Sequence, residues 1–276
     1  MQTLTRQKLE TPYGTLKYAE YVPDEYNETN VPLLLASGWS ESIESLEETV
    51  LALGKIGKKI FVLDHSSLTY QADTENGFPA SGYTKAEAFI QLLDEKEIKT
   101  IDVVAHSEGA INASIAATMY PERFQSLILV APGGFLLKDS FLKLSFRFTR
   151  NILSTLWYKN KMDRKGRFRY VKEVFLYFLQ NPIQTLSEAR AVSRFRVAPL
   201  IKTLKENGVY VYVIHGTNDR VFPAPEVEKA FRESKLQSFR FLSAGGHNDI
   251  HAQPEEFVEI IKQALQDRIS TYGGGN

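Results

Sequence analysis

The sequence has no cysteine among its 276 residues. A disulfide framework, a thiolate metal site and a cysteine nucleophile are therefore excluded. It also lacks net charge: 33 Lys and Arg offset 33 Asp and Glu, so the overall balance gives no sign of a nucleic-acid partner. No apolar run approaches the ~20 residues of a membrane-spanning helix. The opening residues, Met1-Gln2-Thr3-Leu4-Thr5-Arg6, lack the apolar core of a secretory signal. The expectation is a soluble, cytoplasmic protein. Internal repeats are absent, and low complexity is confined to the Gly-Gly-Gly-Asn tail. The length suits one large domain, or a domain carrying an insertion.

What is present is alternation. Residues 4–10 and 15–22 form two strand patterns around a Thr11-Pro12-Tyr13-Gly14 turn, a hairpin at a sheet edge. Buried-strand patterns follow at 31–36, 59–64, 101–106, 124–130, 209–214 and 238–243, with helical spacing at 43–53, 84–97, 110–117, 199–207, 225–234 and 254–266. Thr84 is the expected N-cap of the second helix. Such a rhythm predicts parallel strands with right-handed crossovers and helices on both faces, an α/β fold. It breaks only from Phe135 to Val197, where aromatic, basic and helical patterns replace strands. Residues 1–134 and 198–276 are accordingly read as a core domain. Residues 135–197 are read as a helical cap over the carboxyl ends of the strands, where open α/β sheets bind ligands.

The stretch Ile101-Asp102-Val103-Val104-Ala105-His106-Ser107-Glu108-Gly109-Ala110 carries the chemistry. A β-branched run turns at Ser107 into a helix rich in small residues, which pushes the serine hydroxyl into open space beside free backbone N–H groups. Gly109 supplies the small neighbour such a turn needs, and Ala105 stands where the stricter G-x-S-x-G pattern has glycine.

A serine needs a base, and the base needs a group to hold its tautomer. His247, in the glycine-rich loop Ser243-Ala244-Gly245-Gly246-His247 after the last strand, is the expected base. Asp219, in Gly216-Thr217-Asn218-Asp219 after the penultimate strand, is the expected acid; a turn aspartate pairing with Arg220 is the bland alternative. Asp249 lies too close in sequence to orient His247. Of the other histidines, His106 and His215 are expected to be packed structural residues and His251 a satisfied surface residue, while His65 stands equally for lining the site or not.

In the order Ser…Asp…His, at three successive strand ends, the chain resembles the α/β-hydrolase superfamily from about Leu4 to Gln266. The resemblance implies an eight-stranded, mostly parallel sheet with the first hairpin antiparallel and a cap after the sixth strand. It implies no cofactor and no metal, and an oxyanion hole made by the backbone N–H groups of Trp39 and Glu108. The usual His-Gly before the oxyanion residue is Ser37-Gly38 here, which points to rearranged surroundings. Glu108 would oppose a developing oxyanion if it faced inward, so it is expected to face away into a salt bridge or solvent. Serine rather than aspartate at 107 argues against dehalogenase and epoxide-hydrolase chemistry. The implied activity is hydrolysis of a carboxylic ester or related acyl bond of a small-molecule acyl substrate through an acyl-enzyme. Thioester or carbon–carbon bond hydrolysis, cofactor-free haloperoxidation and non-catalytic ligand binding stay open.

The cap bears on substrate. Residues 138–172 hold eleven Lys or Arg against two Asp, with Phe141, Leu144, Phe148 and Ile152 at helical spacing. Either a cap helix packs its apolar face on the core with its bases in water, or a basic amphipathic element makes weak contact with a membrane surface or an anionic amphiphile. Both favour an apolar acyl or aryl substrate.

Overall fold

In the computed structural model, residues 4–272 are described except 29, 71–76, 137–139, 158–163, 235 and 237. Eight strands form one sheet in the order β1-β2-β4-β3-β5-β6-β7-β8. The strands are β1 (Thr5–Thr11), β2 (Gly14–Tyr21), β3 (Leu33–Ala36), β4 (Ile60–Asp64), β5 (Ile101–His106), β6 (Phe124–Val130), β7 (Tyr210–Gly216) and β8 (Phe239–Leu242). The hairpin β1–β2 joins β4 antiparallel, and every later pair is parallel. The central strands β3, β5 and β6 are buried at nearly every position because helices cover both faces.

The helices are α1 (Ile43–Leu53), α2 (Ala80–Glu95), α3 (Gly109–Met119), α4 (Phe141–Trp157), α5 (Arg164–Gln180), α6 (Pro182–Arg194), α7 (Ala198–Glu206), α8 (Ala224–Glu233), α9 (Asp249–Ala252) and α10 (Pro254–Tyr272). Two apolar clusters result, one on each face of the sheet. Residues of α2, α3, α7 and α8 build one, and residues of α1 and α10 the other. Ser42 starts α1 with a capping box, its hydroxyl accepting from the Ser45 amide at 3.2 Å.

The sequence expectation for α2 needs correction. Thr84 does not cap it; the helix begins at Ala80 after Pro79, whose φ of −65° suits a helix entrance. Thr84 is fully buried one turn inside. The expected helical insertion after the sixth strand is present as α4, α5 and α6, between β6 and α7.

At the exit of β5 the backbone is crowded. A Cβ on Gly109 would lie 2.3 Å from the Ala36 carbonyl oxygen and 2.6 Å from that of Ser37. Only glycine lets α3 start against the end of β3. Gly109→Ala is expected to destabilise the protein by about 1–3 kcal/mol, because the clash is with backbone that no side-chain rotation relieves. Urea unfolding measures this, and a midpoint equal to that of the parent chain would refute the crowding.

Candidate active site

Three loops at the carboxyl ends of the strands meet above β5. Ser107 sits between β5 and α3 at φ +50°, a left-handed conformation that costs a non-glycine residue on the order of 1–3 kcal/mol. Neighbouring backbone holds it there: the Ser107 amide donates to the Val130 carbonyl at 3.1 Å, and its carbonyl accepts from the Gly133 amide at 2.8 Å. The loops after β7 and β8 are pressed together, since a Cβ on Gly216 would fall 2.2 Å from the Gly245 carbonyl oxygen. That contact brings Asp219 and His247 side by side.

The side chains of the three residues converge. Ser107 Oγ lies 3.1 Å from His247 Nε2, and His247 Nδ1 lies 2.8 Å from Asp219 Oδ2. The second carboxylate oxygen of Asp219 accepts from the amides of Val221 (2.7 Å) and Phe222 (2.9 Å). Burial pushes this carboxyl up, but His247, its hydrogen bond, His215 and the Phe222 amide together hold it below the ordinary range. Asp219 is thus ionised and pairs with His247. With the carboxylate on Nδ1, the imidazole carries its proton there and turns the basic Nε2 toward the hydroxyl. His215 is packed beneath, donating from Nε2 to the Phe222 carbonyl at 2.9 Å. Burial lowers its pKa, only partly offset by Asp219 and the Phe222 carbonyl.

None of the described hydrogen bonds uses the backbone N–H of Trp39 or of Glu108. The Glu108 side chain turns away from the serine into a fully buried ion pair with Lys85 of α2, at 2.8 Å. Lys85 also meets Glu188 of α6 at 2.7 Å, and the hydroxyls of Tyr70 and Tyr177 donate to Glu188. Two carboxylates therefore share one ammonium out of water. Burial raises the Glu108 pKa to about 7, with Glu188 adding to the effect and Lys85 opposing it. This network ties the insertion to the turn that holds Ser107.

A second buried network lies on the other side of the serine, and the sequence reading missed it. His106 Nδ1 is 2.7 Å from Glu41 Oε1, and His106 Nε2 donates to the carbonyl of His247 at 2.9 Å. The other oxygen of Glu41 accepts from the Gly38 amide at 2.5 Å. One imidazole thereby joins the loop after β3, the end of β5 and the loop bearing His247. His251, expected at the surface, is buried instead: Nε2 is 2.9 Å from Glu41 Oε1, and Nδ1 accepts from Thr49 Oγ1 at 3.0 Å. The short helix α9 turns it inward, which spacing alone does not reveal. Burial lowers the pKa of His106, but Glu41 and the His247 carbonyl outweigh burial and raise it. For His251 burial prevails, and its pKa falls.

Glu41, His106 and His251 are the one group among the described residues whose ligand atoms lie close enough to hold a cation, all within 4.8 Å. Hydrogen bonds to one another, Gly38, Thr49 and His247 already occupy those atoms. His65 is buried beside Ser37 and Lys85, lining a small internal cavity, and burial together with Lys85 keeps it neutral. Asp249 accepts from the Gly246 amide at 2.8 Å and shapes the loop before His247.

The insertion closes over this region. The Trp39 ring packs at a tilt against Phe148 of α4 (centroids 4.6 Å apart) and Phe178 of α5 (5.0 Å). A polar cleft of about 410 Å³ between α5 and the core is lined by Ser40, Glu41, Asp64 and Glu173, not by Ser107 or His247.

Glu41→Gln removes the counter-charge of His106. The pair's stabilisation is complete above the ordinary carboxyl value of about pH 4.5, is lost as pH falls through the lowered pKa of Glu41, and is lost again as pH rises through the raised pKa of His106. The gap in unfolding free energy between parent and variant should therefore be widest between about pH 4.5 and 6.5, at about 3–5 kcal/mol. A pH-independent gap would contradict the ion pair. Glu108 binds its proton more tightly folded than unfolded, so its contribution to stability falls as pH rises from about 4.5 to 7. Glu108→Gln should flatten that part of the stability profile, and an unchanged slope would contradict the shared-ammonium account.

Residues 27–250 match the family described as Serine aminopeptidase, S33. The mouse (Mus musculus) serine hydrolase BPHL is 18% identical over 241 residues, which cover 86% of this chain and 78% of that one. A bromoperoxidase from Bacillus anthracis superposes with a TM-score of 0.72 at 17% identity, over 96% of this chain and 100% of the other. A membrane phospholipase A superposes with a TM-score of 0.73 at 17% identity, over 96% of this chain and 86% of the other. At these identities the solved structures establish a shared fold. On the extent of the family match, the chain belongs to the serine aminopeptidase S33 family and is an α/β hydrolase.

Proposed function

We propose that this α/β hydrolase is a serine esterase, cleaving a carboxylic ester or related acyl bond of an apolar or lipid-like small molecule. The observation that carries the reading is the unbroken hydrogen-bonded line from Ser107 Oγ through His247 to Asp219, with distances of 3.1 and 2.8 Å. Ser107 attacks the acyl carbonyl as its proton passes to His247 Nε2. Asp219 keeps the other imidazole proton in place and stabilises the imidazolium that forms. The unused N–H groups of Trp39 and Glu108 receive the oxyanion; one such donor is worth about 3–4 kcal/mol in the transition state. His247 then protonates the leaving group, and water, activated by the same imidazole, releases the acid and regenerates the serine. The Lys85 ion pair keeps the Glu108 carboxylate away from the oxyanion while its amide stays available.

The aromatic side chains that α4 and α5 lay on Trp39 support the apolar substrate, since they pack on the residue whose amide is proposed to hold the oxyanion. In this reading those helices act as the cap. The same three groups serve thioesters or carbon–carbon bonds equally well, so the acyl-enzyme is the common step.

Ser107→Ala is expected to lower kcat on an activated aryl ester by roughly 10⁴–10⁶-fold while leaving the fold intact. A fluorophosphonate probe should label the parent chain and not the variant. A folded parent chain that takes no label would make this a ligand-binding member of the family instead.

A further inference from the structure

The large apolar side chains that remain exposed are concentrated on the insertion. Leu142 and Phe146 of α4, Phe168, Phe175 and Leu179 of α5, and Ile183 of α6 are 62–84% exposed. Among the described residues outside these helices, the highest value for a large hydrophobic side chain is 45%, at Val22. The exposed residues recur at helical spacing. Leu142 and Phe146 are one turn apart, and Phe168, Phe175 and Leu179 stand at i, i+7 and i+11. They do not lie on the packed faces, because α4 buries Leu144 and Phe148 and α5 buries Val174. These helices are therefore apolar on two sides, and among the described residues the side bearing the exposed ones is left uncovered.

Basic residues lie within the same outward stripes. Exposed Arg150 sits one turn beyond Phe146, and exposed Lys172 sits between Phe168 and Phe175. The stretch 138–172 carries eleven Lys or Arg against two Asp in a chain whose total charge is zero, so the remainder is correspondingly acidic. A second copy of the chain seated on the same face would bring exposed Lys143, Arg150 and Lys172 against their own counterparts, which charge repulsion opposes. An apolar groove for a peptide is not what these residues build, as the cleft beside α5 is lined by Leu176 and Tyr177 rather than by them.

We propose that the outward faces of α4, α5 and α6 dock on an anionic lipid bilayer. The apolar side chains enter the boundary between headgroups and acyl chains, and the interleaved Lys and Arg meet the lipid phosphates and carboxylates. This assignment concerns a surface, not the chemistry at Ser107, and holds whether or not the chain is an esterase.

The test is flotation of the full chain with vesicles of phosphatidylcholine alone and of phosphatidylcholine with phosphatidylserine. The chain should float with the phosphatidylserine vesicles, far less with phosphatidylcholine alone, and release at high salt. Phe146→Asp and the pair Lys143→Glu with Arg150→Glu should each weaken binding by roughly tenfold or more, with unfolding midpoints unchanged because the altered side chains are exposed. Ser107→Ala should float like the parent, which separates this result from the fate of the esterase reading. No flotation, or equal flotation with both vesicles, would overturn the proposal. So would self-association in sedimentation that Phe146→Asp abolishes, since the face would then belong to a second copy. Retention on polyglutamate without flotation would overturn it too, by assigning the face to an acidic protein.

Discussion

One imidazole, that of His106, connects three of the loops on which the site depends. The ring stands at the end of β5, immediately before Ser107, and reaches Glu41 in the loop after β3 and the His247 carbonyl in the loop after β8. Because Glu41 also accepts from the Gly38 amide, the position of the Trp39 N–H is set relative to the serine through this same pair. Loops run over the surface of a sheet and are otherwise more mobile than the strands they join. A buried, charge-assisted link across three of them holds their relative geometry more tightly than strand packing alone. Ser37 stands before Gly38 in this loop and donates to the Leu63 carbonyl, while Glu41 is held by His106 and His251.

On the opposite side of Ser107 a different charge network does the complementary work. Lys85, Glu108 and Glu188 are buried together, and Glu188 belongs to the insertion. A buried charge cluster is weak evidence of stability but good evidence of register, because few alternative placements of α6 satisfy both carboxylates and the ammonium. The insertion is thus attached to the core by electrostatics beside the serine and by tilted aromatic contacts on Trp39. Its outward face remains apolar and basic, which distinguishes it from the rest of the surface.

The fold was legible because alternating buried runs and amphipathic helices leave a direct trace in sequence, and the eight strands fall where those runs lie. The meeting of Ser107, Asp219 and His247 was legible from strand ends, since a side chain just past a parallel strand has one rim to occupy. The turning away of Glu108 followed from charge alone. What sequence could not show were contacts between residues far apart in the chain that share no motif. Glu41 and His251 are 210 positions apart, and His251 reads as a surface residue until α9 turns it inward. Lys85, on a helix capped at Pro79 and not at Thr84, gives no hint of Glu188. A buried carboxylate facing a polar loop could have been suspected only from Glu41 lying so near Gly38.

The central claim is that the serine hydroxyl becomes covalently acylated during turnover. Rapid acid quench of the protein with an activated ester, followed by peptide mapping by mass spectrometry, measures this directly. The account predicts an acyl mass increment on the peptide containing Ser107, formed within the first turnover and lost as product accumulates. Turnover of the ester with no acylated peptide at Ser107, or with the increment on another residue, would contradict it.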